Sequence, residues 1–86
     1  MRYLLMFRSL TYAQRGARLL ERSGITATIT RVPRSAAVRG CSYGVLVSPA
    51  QYERAMELLS SGGLLPERIY MRNTDGSLRE TGHDLA

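Results

Sequence analysis

The stretch "VPRSAAVRGCSYG", residues 32–44, contains Cys41, the chain's one cysteine. The chemistry open to it is that of a thiolate, the form of cysteine that attacks and carries. A free thiol ionises near 8.5, and nearby positive charge lowers that value. Arg34 and Arg39 stand in the same stretch, and Ser35, Ala36, Ala37, Gly40, Ser42 and Gly44 are too small to shield the sulfur. The ordinary alternative is that Cys41 is a small packing residue and the arginines are solvated. The residues of the stretch leave both readings open.

Other chemistries find fewer parts. One cysteine excludes an internal disulfide, and Cys41 with His83 does not make a zinc site. There is no Ser-His-Asp set, no glycine-rich phosphate loop and no carboxylate pair placed to share a pocket. Glu53, Arg54 and Glu57 read as a solvated helix surface. No metal or cofactor is therefore expected. All 12 basic residues are arginine, against 7 acidic ones, for a formal charge of +5. That excess contains no run of five like charges, and coding bias explains the absence of lysine better than selection of guanidinium groups for oxyanion recognition does. A sheet that binds RNA presents aromatic residues on its central strands. Tyr3 or Phe7 would serve on one strand, but "GVLV" has none, so nucleic acid is not the expected partner. The apolar run "YLLMF" is too short for a leader core or a membrane span. A cytoplasmic protein without a membrane partner is the expectation.

Periodicity supplies the elements that must hold Cys41. "RYLLMF" is apolar on both faces, as a central strand would be. Leu10, Ala13, Ala17 and Leu20 then recur at helical spacing, with Ser9 as N-cap and Gly24 as stop. "ITATITRV" alternates Ile25, Ala27 and Ile29 against threonines, which predicts a half-buried strand. "GVLV" predicts a short buried strand. Ser48, Pro49 and Gln51 open a second helix as cap, first helical residue and capping-box partner, and Gly62-Gly63 ends it. "ERIYMR" is the last strand of a domain spanning residues 1–72. Residues 73–86 read as a polar, mobile tail with a turn signal at Asp75-Gly76, ending at most in a short hairpin.

The order β-α-β-β-α-β predicts an α+β, ferredoxin-like sandwich: a four-stranded antiparallel sheet, order 4-1-3-2, with two helices on one face. "YLLMF" and "GVLV" become the central strands. Apolar side chains of the first strand then point away from the helices, and pairing into a homodimer would cover them. The long connection between the second and third strands falls beside the start of the first helix. Cys41 is thereby expected near the unpaired N–H groups of Ser9, Leu10 and Thr11, at the positive end of the helix dipole. Arg8, Arg34 and Arg39 would add charge there.

The run "MFRSLTYAQRGARLLERSGITATITRVPRS", a single cysteine, a strand and then "SPAQYERAMELL" resemble the selenium/sulfur carrier protein-like family of small bacterial domains. The resemblance spans residues 2–72. Its most specific pieces are Ser9, Gly24-Ile25, Val32-Pro33-Arg34 and Cys41. Ser42 stands where members usually carry glycine, and Arg39-Gly40 replaces small polar residues. The resemblance implies a carrier that holds sulfur or selenium on Cys41 as a persulfide or selenosulfide. Ser9, Leu10, Thr11, Arg34 and Arg39 would stabilise the anion. Donor and acceptor proteins would be its partners, and its activity would at most be a transferase-like relay. The alternative is a ferredoxin-like interaction or regulatory module in which Cys41 is structural.

Overall fold

The computed structural model describes residues 2–31, 43–75 and 78–82. Its elements are β1 (Arg2–Phe7), α1 (Leu10–Arg22), β2 (Thr28–Arg31), β3 (Tyr43–Val47), α2 (Tyr52–Ser61), β4 (Arg68–Arg72) and β5 (Leu78–Gly82). The sheet order is β2-β3-β1-β4-β5, and every pairing is antiparallel. The first four strands are ordered as expected for the ferredoxin-like sandwich, with β1 and β3 inside.

Register explains why the two inner strands are apolar throughout. Tyr3, Leu5 and Phe7 pair with Val47, Val45 and Tyr43 on one face, while Leu4 pairs with Leu46 on the other. Leu5, Phe7, Val45, Val47 and Ile69 share a core with Ala13, Ala17 and Leu20 of α1 and with Ala55 and Leu59 of α2. Burying a large aliphatic side chain of this kind stabilises the fold by about 1.5–3 kcal/mol. The opposite face carries a second cluster of Leu4, Met6, Leu46 and Tyr70. Leu4 and Met6 are 1% and 3% exposed within the single chain. The expected reason for a homodimer, an uncovered apolar face on β1, therefore does not hold.

Both helices end through the same backbone device. Gly24 and Gly63 have φ of 84° and 70°, the left-handed conformation that side chains oppose. At α1, Gly24 N–H donates to the Glu21 carbonyl and Ile25 N–H to that of Leu20. At α2, Gly63 N–H donates to Ser60 and Leu64 N–H to Leu59. These paired bonds form Schellman motifs, which satisfy the last carbonyls of each helix.

The structure departs from the sequence reading in three places. The paired part of β2 begins only at Thr28, opposite Leu46, although β3 continues to Val47. Ile25 and Ala27 remain buried beside it without belonging to the ladder. The second helix opens with a 3-10 turn, Pro49–Gln51, and α2 proper starts at Tyr52. The Ser48 hydroxyl donates to Gln51 Oε1 at 3.5 Å rather than accepting from the backbone, so the capping box is not formed. Finally, β5 arises within the segment read as a tail and pairs with β4. A register shift at Ile69/Tyr70 places one extra residue on β5. "LRETG" has no apolar alternation to betray it, since an edge strand is held by its ladder more than by its side chains.

Among the described residues, no helix is long and apolar enough to cross a membrane.

Candidate functional site

β1 ends at Phe7, and α1 starts three residues later. Ser9 makes that reversal possible. Its backbone is extended, with φ −153° and ψ 164°, and its hydroxyl accepts from Tyr12 N–H at 3.3 Å. Its carbonyl accepts from Ala13 N–H at 3.0 Å, the first bond of the helix. The N–H groups of Leu10 and Thr11 have no acceptor within the helix, as helix geometry requires. The first turn holds no acidic side chain, so nothing in the helix neutralises its positive end. Thr11 is exposed, and Leu10 is 39% exposed.

Arginines and tyrosines surround this turn. The Arg8 guanidinium carbon lies 4.6 Å from the Tyr12 ring centroid, and that of Arg15 lies 5.9 Å from the same ring. Positions 8, 12 and 15 are four and three apart, so one side of the helix start brings them together. Arg31, at the end of β2, lies 5.9 Å from the Tyr43 ring across the ladder. Tyr43 is also the register partner of Phe7. The ends of β1 and β2, the start of β3 and the N-terminus of α1 thus share one end of the sheet. The carboxylate-bearing Glu67 joins them through its N–H, which donates to the Met6 carbonyl at 2.8 Å.

Of the expected site residues, Ser9, Leu10 and Thr11 are found on the N-terminal turn of α1. Cys41, Arg34 and Arg39 lie outside the described residues, as does His83. Sequence reasoning passed over Tyr12 and Arg15, whose spacing from Arg8 was a readable signal. It had no way to find the Arg31–Tyr43 pair, which depends on strand register. Among the described residues no group of histidine, cysteine, aspartate or glutamate is arranged to hold a metal ion. The arrangement can attract and orient an anion: helix N–H groups supply donors, and the arginines supply charge.

No curated protein and no solved structure matches the chain. A family model does, over residues 2–71, nearly the whole domain and with Cys41 inside the matched span. Its description names carriers of selenium or sulfur. By that match, and by a sheet order compatible with the fold the resemblance implies, the chain belongs to the "Putative Se/S carrier protein-like" family.

Proposed function

We propose that this protein carries sulfur or selenium on Cys41, as a persulfide or selenosulfide, between a donor and an acceptor protein. The family match carries the reading, because the matched span contains one sulfur with thiol chemistry. Chain connectivity supports it. Cys41 precedes Tyr43 by two residues, which limits their Cα separation to about 7 Å. Tyr43 in turn pairs with Phe7, at the sheet end that carries Arg8, Arg31 and the start of α1.

In loading, the Cys41 thiolate attacks the terminal sulfur of a donor cysteine persulfide. A bond forms from Cys41 Sγ to that sulfur, the donor's S–S bond breaks, and the donor leaves as a thiolate. In delivery, an acceptor thiolate attacks the terminal sulfur on Cys41 and releases Cys41 as a thiolate. Each step exchanges one S–S bond for another, so neither an oxidant nor a reductant is consumed. Selenium follows the same exchange through an S–Se bond. The helix N–H groups at Ser9 to Thr11, with Arg34 and Arg39, stabilise the negative charge on the attacking and terminal atoms. Residence in a reducing cytoplasm fits this role, since the thiol must stay free between transfers.

Incubation with a cysteine desulfurase and cysteine, followed by intact-mass measurement, is the test. The expected result is an added mass of one sulfur atom, removed by dithiothreitol and absent in Cys41→Ser. No adduct, or an equal adduct on the serine variant, would overturn the proposal. A pH series of thiol alkylation adds a second check. The Cys41 thiol is expected to react with an apparent pKa below the ordinary value of about 8.5. A thiol that titrates at that value, or is closed to reagent, would point to the interaction module with a packing cysteine.

A further inference from the structure

We infer that the outward face of α1 is a docking surface for an acidic, amphipathic segment of a partner protein. A groove of about 580 Å³ runs along this face, and Arg15, Arg18 and Arg22 line it. Their spacing of three and four residues places them in one row, about 10 Å long from first to last. Leu19 on the helix, with Gly62 and Leu64 from the turn after α2, supplies an apolar side. No carboxylate lines the groove among the described residues. The row has an energetic consequence for the free protein. Like charges three and four apart on one helix face repel each other and weaken the helix. A counter-charged partner would remove that penalty and gain planar guanidinium–carboxylate bonds.

The lining also selects among anionic partners. A single small anion would engage one or two guanidinium groups and leave the row unused. Single-stranded nucleic acid is held by bases stacked on aromatic rings, and the described lining has none. A peptide segment uses everything present: carboxylates meet the arginines, and an apolar side chain seats against Leu19 and Leu64. This inference uses no property of Cys41, so it stands or falls apart from the carrier reading.

The test uses the full 86-residue chain, isotopically labelled for amide NMR. The probe is a synthetic helical peptide with glutamates on one face and leucines beside them. A second peptide has glutamine at every glutamate, and a short DNA duplex serves as a third probe. The expected shift changes are confined to residues 11–22 and 62–64, with the glutamine peptide giving none. Arg18→Glu with Arg22→Glu is expected to weaken glutamate-peptide binding about tenfold or more. Arg54→Glu with Arg72→Glu makes the same change in net charge at exposed positions elsewhere, and is expected to change binding less than about threefold. Equal weakening by the two double variants would reduce the effect to bulk charge and overturn the inference. So would absence of binding, tighter binding of the duplex to this face, or self-association that Arg18→Glu with Arg22→Glu abolishes. The glutamine probe leaves the protein unaltered, so the result does not depend on the variants folding.

Discussion

Tyr3 and Tyr52 stack with ring centroids 4.0 Å apart and planes 22° from parallel, fastening the first turn of α2 to the start of β1. Burial first, and the neighbouring Tyr3 second, raise the Tyr52 phenol above its ordinary value of 10.0. The folded state therefore holds this proton more tightly than the unfolded chain. The associated stability is complete below pH 10.0 and is lost as pH rises from there through the raised folded value. Tyr52→Phe keeps the ring and removes the ionisation. The variant is expected to lose less stability than the wild type above that pH, and to differ little in slope near neutrality. Urea unfolding across the alkaline range measures this; parallel curves would show that Tyr52 stays out of the titration. At this scale the helix alone does not reveal the contact, because the stacking partner of Tyr52 comes from the sheet.

At the scale of elements, α1 is the piece on which both functional readings depend. Its N-terminal turn belongs to the candidate anion site, and its outward arginine row to the proposed docking face. Ser9 secures the start by accepting from Tyr12 N–H, and Gly24 secures the end. Ser9→Ala removes the hydroxyl acceptor and is expected to destabilise the protein by about 1 kcal/mol. Ser9→Asp restores an acceptor and adds a negative charge at the dipole's positive end, so it should recover most of that loss. Chemical denaturation of the three proteins checks the order. An unchanged Ser9→Ala midpoint would show that the cap is replaceable by water. These helix ends were legible beforehand because caps and glycine stops act within four residues. The 3-10 opening of α2 was not, because Pro49 at the first helical position is compatible with either kind of turn.

For the whole molecule, the decisive feature is a sheet that is apolar on both faces yet closed within one chain. Leu5, Val45 and Ile69 meet the helices, while Leu4, Met6, Leu46 and Tyr70 gather on the other side, all buried. β5 extends the sheet beyond the ferredoxin-like set and covers the outer edge of β4. Truncation after Arg72 opens that edge, whose unpaired N–H and C=O groups invite pairing with another chain. The truncated protein is expected to melt lower, by about 4–8 °C for each kcal/mol lost, and to self-associate as concentration rises. Thermal unfolding and sedimentation would measure both. An equal melting temperature would confine the folding unit to residues 1–72, the boundary the composition suggested.

What the sequence determined by itself was local or periodic: four strands and two helices in order, the Ser9 cap of α1, the glycine stops of both helices, and most of the residues that face inward, with Leu10 and Ile29 as exposed exceptions. Those properties follow from backbone geometry and from periods of two and 3.6 residues, so neighbours along the chain carry them. The carrier resemblance belongs here too, because it rests on residues in linear order around Cys41. Tertiary structure alone decided what joins distant segments. It paired Arg31 with Tyr43 and Tyr3 with Tyr52, and set Leu64 beside the arginine row of α1. It also recruited "LRETG" as an edge strand and buried Leu4 and Met6 without a second chain. Such contacts depend on register and on the packing of elements far apart in sequence, and no local pattern encodes them.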